Sequence, residues 1–431
     1  MNHGPTDPTG SPILAPAPWH EVRESKLRVT AVRTFLTAPQ GCPYLIVRVE
    51  TNEPGLYGLG CASDPQRTRA IRTVVDDYLG PLLLGRDPRD IEDIHRLLLN
   101  SAYWRGGSLG GNALAGIDVA LWDIKAKAAG LPLYDLLGGR ARHAATAYTH
   151  VSGSDPDEIA GLVRAARDSG FEHVRVQVAL PGADAYGTHP SDAAQATAIA
   201  NRRVPWDGEA YLRIVPKTLI AVRDRVGDDV ELLHDAHERL TPAQARQFIS
   251  AVEPARLFFL EDVLSPEDSG HFPHLRAAGT VPLAMGELFS DPTQYLELMT
   301  SRSIDYARIR IPTLGGLTPA RKLAAVCEMF GVRLAPHGPG DVSPVGRAAT
   351  VALDVNAPSF GIQEAAEYTD ATKEMFPGTI SARQGALYPV EAPGLGVDFD
   401  EAVARRHPPT APLEHDRWAL LRNRDGSAQR P

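Results

Sequence analysis

The feature that most constrains the fold is a regular alternation, after Gly139, of short apolar, β-branched runs with helical stretches. Near-continuous apolar character is typical of strands buried on both faces of a parallel sheet, whose crossover connections are usually helices. The helical stretches include residues 242–252, 295–299 and 319–330. The strand candidates are residues 146–151, 173–179, 230–235, 257–261, 282–287, 305–311, 332–336 and 360–364. Eight such units predict a TIM-type (β/α) barrel, with an open doubly wound sheet as the alternative.

The sequence before Gly139 has a different texture and predicts a separate α+β unit. Residues 27–36 and 44–50 have strand-like patterns, and residues 52–55 between the second run and Leu56 predict a turn. A helix follows, with apolar residues at steps of three and four on one face, and Gly130 ends it. Those apolar residues are Leu114, Ile117, Leu121, Ile124 and Ala128. Residues 1–20 carry five prolines and predict a flexible arm.

Composition excludes several classes of partner. The net charge of −9 and a pI near 5.9 argue against nucleic acid and membrane surfaces, which attract clustered Lys and Arg. No apolar run reaches the length of a transmembrane helix, and the first 20 residues show no signal-peptide pattern. The three cysteines form no CxxC pair, so we expect no disulfide framework or zinc knuckle and a reduced, cytoplasmic compartment.

Three carboxylates lie at equivalent places along the predicted barrel, each at the end of a strand. Asp235, Glu261 and Glu287 each close an apolar strand candidate, and consecutive members are 26 residues apart. Because the carboxyl ends of parallel strands lie on one rim, the three side chains are expected to converge there. Three anions at close range repel one another unless a cation lies between them. Oxygen-only ligands favour a hard divalent ion, and we predict Mg²⁺.

Further polar residues are predicted on the same rim. These are Arg175, Gln177, His237, Arg308, His337, Asp341 and Glu364. We expect His337 to pair with Asp341, whose carboxylate would fix the imidazole tautomer and raise its pKa. A divalent ion beside an acid/base group suits removal of a proton α to a carboxylate, because the metal stabilises the enediolate that forms.

Several motifs resemble the enolase superfamily. GIDVALWDIKAKAAGLPLYDLLGG (116–139) looks like the signature that joins the N-terminal capping domain to the barrel in the mandelate racemase branch. Within that branch, the likeness is to the mannonate dehydratase group of acid-sugar dehydratases, over roughly residues 26–410. The supporting motifs are SAYWRGG (101–107), LLHDAHERLTP (232–242), FFLED (258–262), GELF (286–289), PHGPGDVSP (336–344) and GIQE (361–364).

The resemblance implies a capping domain over residues 21–140, a barrel over 141–395 and a tail, 396–431, that packs toward the cap. It implies that Asp235, Glu261 and Glu287 bind Mg²⁺. It also implies loss of water from an acid sugar, giving a 2-keto-3-deoxy acid. Tyr186, paired with Arg175, would then be the base on C2, and His237 the acid for the 3-hydroxyl. The positions expected to bind the sugar or organise the metal are His150, Arg308, His337, Asp341 and Glu364. We expect a homo-oligomer.

The chain departs from relatives at three places. Strand two ends in Arg175-Val176-Gln177 instead of the Lys-x-Lys pair of many racemases, which weakens a racemase interpretation. Pro65 stands where mannonate dehydratases place a substrate-contacting Asn, and Pro339 replaces a smaller residue. Both departures argue against mannonate as the substrate, which leaves gluconate, another acid sugar or a substrate outside the usual set. A racemase or epimerase of a 2-hydroxy acid and a catalytically silent sugar-acid binder remain the alternatives.

Overall fold

The structure, a computed structural model, describes residues 26–180, 205–409 and 422–430. The N-terminal part is an antiparallel sheet of β1 (Val29–Thr37), β2 (Tyr44–Thr51) and β3 (Tyr57–Cys61), with β2 in the centre. The predicted turn lies between β2 and β3. The helices that follow are α1 (Thr68–Thr73), a π-helical segment (Val74–Leu79), a 3₁₀ helix (Gly80–Leu83), α2 (Ile91–Leu99), α3 (Gly107–Ala129) and α4 (Leu133–Leu136).

Helix α3 lies directly on β3, backbone against backbone. A Cβ at Gly60 would be 1.8 Å from the carbonyl oxygen of Gly116, and one at Gly58 would be 1.9 Å from that of Ala120. The two glycines share one face of the strand, and their partners are one helical turn apart. Only glycine at these strand positions allows so close an approach.

The barrel prediction is confirmed. Eight parallel strands follow one another around the sheet, each near its predicted place. They are β4 (Ala145–Gly153), β5 (His173–Val178), β6 (Glu231–Asp235), β7 (Phe259–Glu261), β8 (Leu283–Met285), β9 (Tyr306–Ala307), β10 (Arg333–Leu334) and β11 (Gln363–Glu364). Several are shorter than predicted because the apolar runs continue beyond the regular hydrogen-bonded ladder.

The sheet closes between β10 and the segment before β11. Leu334 and Phe360 form a parallel bridge, and Gly361 N donates to Leu334 O at 2.8 Å. A short strand, β12 (Ala386–Leu387), pairs antiparallel with the start of β4. The helices and 3₁₀ segments around the strands are α5 (Pro156–Asp168), α6 (Gly208–Val226), α7 (Pro242–Val252), 3₁₀ turns at Glu253–Ala255 and Pro266–His271, α8 (Phe272–Arg276), α9 (Gln294–Thr300), α10 (Ile311–Leu314), α11 (Leu317–Phe330), α12 (Pro344–Asn356), α13 (Asp370–Met375) and α14 (Glu401–Arg406). Within the described ranges, no helix is both long and apolar enough to cross a bilayer.

Buried Asp123 on α3 ties three parts of the chain together. Its Oδ2 accepts from Leu59 N at 3.0 Å and from Lys127 Nζ at 2.7 Å, while Oδ1 accepts from Leu395 N at 2.8 Å. Nearby, Glu401 of α14 contacts two arginines of the N-terminal sheet, Arg33 and Arg48, both at 3.1 Å. The segment after the barrel therefore packs against the N-terminal sheet.

The contact between β3 and α3 predicts that Gly60→Ala is strongly destabilising. The added methyl must push the helix from the strand, and overpacking of this kind costs about 1–3 kcal/mol or more. Chemical denaturation with a two-state fit measures the loss. Gly161→Ala is the matched control, because Gly161 lies within α5 with nothing within 4 Å of its Cβ position. That change should stabilise by about 0.5–1 kcal/mol, and similar unfolding free energies for both variants would contradict the packing argument.

Candidate active site

The candidate site is a layer of ionisable side chains at the carboxyl ends of the barrel strands. Beneath it lies a buried apolar layer: Tyr148, Leu233, Phe259, Ala284, Tyr306, Ala335 and Ile362. Side chains alternate between the two faces of a strand, so the next inward position is two residues later. Eight residues from eight successive strand ends form the upper layer: His150, Arg175, Asp235, Glu261, Glu287, Arg308, His337 and Glu364. We call these eight residues the rim ring.

Glu287 is the member that departs from the alternation, since it follows Ala284 by three residues. Gly286 intervenes with φ 127°, a backbone conformation that side chains rarely adopt. The Gly286 N–H donates to Asp262 Oδ1 at 3.1 Å, which holds this turn. The extra residue turns Glu287 toward the other carboxylates, and its Oε2 lies 3.3 Å from His337 Nε2.

Two buried arginines balance part of the negative charge. Arg175 Nη1 lies 3.6 Å from Asp235, 3.4 Å from Glu261 and 3.5 Å from Glu364. Arg308, fully enclosed, lies 2.5 Å from Glu261 and 2.8 Å from Glu364 and also donates to the carbonyl of Ala335. Each guanidinium thus bridges carboxylates from different strands and fixes their relative positions.

His237 is placed by an unusual turn after β6. His237 and Glu238 both have left-handed backbones, with φ of 51° and 63°. The turn is held because His237 N donates to Asp235 Oδ1 at 2.7 Å and Glu238 N donates to Asp262 O at 2.7 Å. Side chains at functional sites often occupy such strained conformations. The result brings His237 Nε2 to 3.7 Å from Glu287 Oε1.

Burial sets the protonation of the ring. It raises the pKa of Asp235 to about 7, with the neighbouring charge of Glu261 adding to the effect, and it raises the pKa of Glu287 well above its usual value. Burial alone would also raise the pKa of Glu364, but Arg175 and Arg308 hold it well below its usual range. The two arginines therefore keep Glu364 ionised, whereas Asp235 and Glu287 hold protons more tightly than ordinary carboxyl groups do.

The histidines of the ring are neutral at physiological pH. Burial, followed by the charge of Arg175, lowers the pKa of His150, although its Nε2 lies 2.8 Å from Glu364. Burial also lowers the pKa of His337 well below its usual value. A neutral imidazole offers one nitrogen as a hydrogen-bond acceptor or base and the other as a donor.

The expected pairing of His337 with Asp341 is wrong. Asp341 contacts Arg310 at 3.5 Å, while the charged neighbours of His337 are Glu287 and Glu364. The expected rise in the pKa of His337 is also wrong, because the effect of burial outweighs that of the nearby carboxylates. Tyr186 lies outside the described residues.

The residues present fit a divalent cation. Ligand atoms of Glu261, Asp262 and Glu287 all lie within 4.8 Å of one another, and all three residues are buried. Asp262 Oδ2 accepts no hydrogen bond within the described parts of the chain. The rim ring and Asp262 together hold five carboxyl groups against two guanidinium groups, a negative excess that a hard cation with oxygen ligands relieves.

Sequence reasoning missed Asp262 as a member of this cluster. The only available signal was its place directly after Glu261 in the motif FFLED. Adjacent residues of a regular strand face opposite sides, so this position argues against convergence. The backbone of Asp262 is left-handed, with φ 39°, and this returns its carboxylate toward Glu287. Asp235, predicted as a ligand together with Glu261 and Glu287, is held by Arg175 and by Gln177, whose Nε2 donates at 3.3 Å.

Comparison with known proteins agrees with this architecture. A model described as the mandelate racemase / muconate lactonizing enzyme N-terminal domain matches residues 21–138, and one described as enolase C-terminal domain-like matches residues 158–403. A D-galactonate dehydratase family member from Streptomyces sp. (strain SPB78) is 67% identical over 421 residues, covering 97% of this chain and 95% of that protein. Another, from Musicola paradisiaca, is 43% identical over 418 residues, covering 94% and 100%.

A solved structure extends the likeness to three dimensions. An enolase from Pantoea ananatis, crystallised with bound D-gluconate and Mg, is 42% identical and superposes with a TM-score of 0.87. The match covers 94% of this chain and all of that one, at 100%. The resemblance to the enolase superfamily, to its mandelate racemase branch and to the acid-sugar dehydratases is confirmed. The chain belongs to the mandelate racemase branch of the enolase superfamily, and within that branch to the D-galactonate dehydratase family of acid-sugar dehydratases.

Proposed function

We propose that this protein is an Mg²⁺-dependent hydro-lyase that removes water from an acid sugar to give a 2-keto-3-deoxy acid. The observation that carries the proposal is the rim ring, in which buried carboxylates in excess of their arginine partners surround one point at the mouth of the barrel. The Pantoea ananatis relative binds D-gluconate and Mg, which supports the same ligand classes here.

Asp235, Glu261 and Glu287 are proposed to hold the ion, with Asp262 fixing the turn that presents Glu287. A bound Mg²⁺ supplies positive charge that stabilises the negative charge developing on the substrate carboxylate when the C2 proton is lost. Arg308 fixes the relative positions of Glu261 and Glu364, since it contacts both from a fully enclosed position. His150 and Glu364 form a neighbouring polar pair for the sugar.

The proton transfers are assigned to two side chains. Tyr186, with Arg175 as the partner that the family resemblance implies, removes the C2 proton; a cation close to a phenol favours the phenolate. His237 protonates the departing 3-hydroxyl; its position beside Glu287 keeps it next to the metal ligands. Neutral His337, 3.3 Å from Glu287, is the candidate base if Tyr186 does not serve.

The substrate is proposed to be an aldonate with the carboxylate toward the metal and the hydroxyls toward His337 and Asp341. Relatives are named for D-galactonate, and one binds D-gluconate. The test is incubation with Mg²⁺ and each of D-gluconate, D-galactonate and D-mannonate, with a carbonyl reagent to detect the keto acid. Deuterium incorporation at C2 without a new carbonyl would instead indicate an epimerase. Binding with neither product would indicate a silent sugar-acid binder. The homo-oligomeric state stays a prediction.

Glu261→Gln should weaken Mg²⁺ binding at least about tenfold, because an anionic ligand becomes a neutral one. Isothermal titration calorimetry with MgCl₂ measures the affinity. Glu231→Gln is the matched control, since Glu231 is exposed at the opposite end of β6 and loses the same charge. Equal weakening in both variants, or in neither, would contradict the assignment of Glu261.

Mg²⁺ affinity should rise with pH. Burial raises the pKa of Asp235 to about 7 and that of Glu287 well above its usual value, so ligation must displace protons from these groups. Binding therefore releases protons, and the affinity increases from about pH 6 to about pH 8. Calorimetry in two buffers of different ionisation enthalpy counts the protons released. A constant affinity without proton release would be incompatible with this picture.

Tyr186→Phe should keep ligand binding but abolish exchange of the C2 proton with solvent. His237→Asn should stop elimination while leaving slow exchange, because deprotonation does not need the acid. Deuterium incorporation and keto-acid formation are measured separately by NMR and a carbonyl assay. Tyr388→Phe, near β12 at the other end of the barrel, serves as the control. Exchange at the wild-type rate in Tyr186→Phe would transfer the role of base to His337.

A further inference from the structure

Arg310 is a buried residue outside the rim ring that connects the barrel to the N-terminal sheet. It directly precedes α10, and its side chain is enclosed. Nη1 donates to Asn112 Oδ1 of α3 at 3.2 Å and to Thr313 Oγ1 at 2.9 Å. Nη2 donates to the carbonyl of Ser63 at 3.0 Å. Arg310 thus fixes the cap loop, residues 61–65, against the mouth of the barrel.

The same guanidinium also holds Asp341. Arg310 Nη2 lies 3.5 Å from Asp341 Oδ2, so one nitrogen serves both the cap loop and this carboxylate. Asp341 Oδ1 is buried and accepts no hydrogen bond from any described residue. A buried acceptor lacking a donor is costly, and a ligand hydroxyl can supply the donor. Arg310 therefore orients Oδ2 of Asp341, while Oδ1 is left without a donor among the described residues.

The chain beside Asp341 is held from the cap side as well. The carbonyl of Gly340 accepts from Tyr44 Oη at 2.6 Å and from Gln40 Nε2 at 2.8 Å. Tyr44 begins β2, and Gln40 lies in the connection between β1 and β2. Residues 340–341 are consequently positioned by the N-terminal sheet and by Arg310, although they belong to the loop after β10.

We propose that Arg310 is a positioning residue that determines the preference among acid sugars. It fixes the position of the cap loop relative to Oδ1 of Asp341, the oxygen that lacks a donor. This inference rests on the proposed function. A site built to hydrogen-bond a particular hydroxyl discriminates strongly against a sugar whose hydroxyl points elsewhere. Loosening Arg310 should therefore alter the preference among epimers more than the chemistry at C2, which lies with the rim ring.

The test is a double-mutant cycle of Arg310→Lys and Asp341→Asn, read as kcat/KM for D-gluconate, D-galactonate and D-mannonate. Arg310→Lys keeps the charge but replaces two separate guanidinium nitrogens with one ammonium nitrogen, which cannot reproduce the spread of contacts to Asn112, Ser63 and Asp341. We expect KM to rise more than kcat falls, and the ratio of kcat/KM between the preferred sugar and its epimers to fall at least about tenfold. The double variant should lose little beyond Asp341→Asn alone, since Arg310 acts through Asp341.

The control is Arg223→Lys. Arg223 is equally buried but donates to the carbonyls of Gly227 and Val230 at the other end of β6. It should lower the melting temperature without altering the ratio among sugars. The proposal would be overturned if Arg310→Lys left the ratio of kcat/KM among the sugars unchanged. It would also be overturned if the losses in kcat/KM of the two single variants added in the double variant, because Arg310 would then have only a structural role.

Binding separates this failure from failure of the proposed function. If the wild-type protein turns over none of the three sugars but binds them with Mg²⁺, the same cycle is measured on dissociation constants by calorimetry. A changed preference then supports the role of Arg310 although the dehydratase proposal fails. If the wild-type protein binds none of them, both proposals fail. Mg²⁺ affinity should stay unchanged in Arg310→Lys, because Arg310 contacts neither Glu261 nor Glu287.

Discussion

The structure depends on the confinement of several carboxylates at the closed mouth of a barrel. Like charges in a poorly hydrated space raise one another's pKa, and the cost is tolerable only where counter-charges are fixed among them. Arg175 and Arg308 provide these charges from β5 and from just beyond β9, each bridging carboxylates of other strands. The remaining negative charge makes the mouth of the barrel a place for a hard cation with oxygen ligands.

Much of the fold was predictable because the buried parallel strands have continuous apolar sequences. Most of the rim ring was predictable for the same reason: Asp235, Glu261 and Glu364 end such runs, and alternation places them on one face. Asp262 was not predictable, because its inward direction depends on a left-handed backbone that no sequence pattern marks. The charged neighbours of His337 were not predictable either. The loop that follows His337 contacts the N-terminal sheet, and this takes Asp341 to Arg310 instead.

The N-terminal sheet supports the candidate site through contacts with the loop that carries Asp341. The sheet contacts the barrel at Gly340 and Arg310, which lie far from it in the sequence. Tyr44 and Gln40 donate to the carbonyl of Gly340, and the cap loop accepts from Arg310. The close approach of β3 to α3, possible through Gly58 and Gly60, packs the sheet directly on this helix. In the proposed enzyme, the N-terminal sheet would fix the loop that carries Asp341, and the barrel would supply the charged groups around the metal.

The return of residues 395–407 to the N-terminal sheet has a consequence for biosynthesis. Thr37 Oγ1 donates to the carbonyl of His407 at 2.8 Å, and Phe35 packs on Phe399 with ring centroids 5.2 Å apart. Because residues 29–61 precede the barrel in the chain, their sheet gains these contacts only after the barrel has been translated. The nascent chain therefore carries an incomplete N-terminal sheet until residues 395–407 have been made and can fold back onto it.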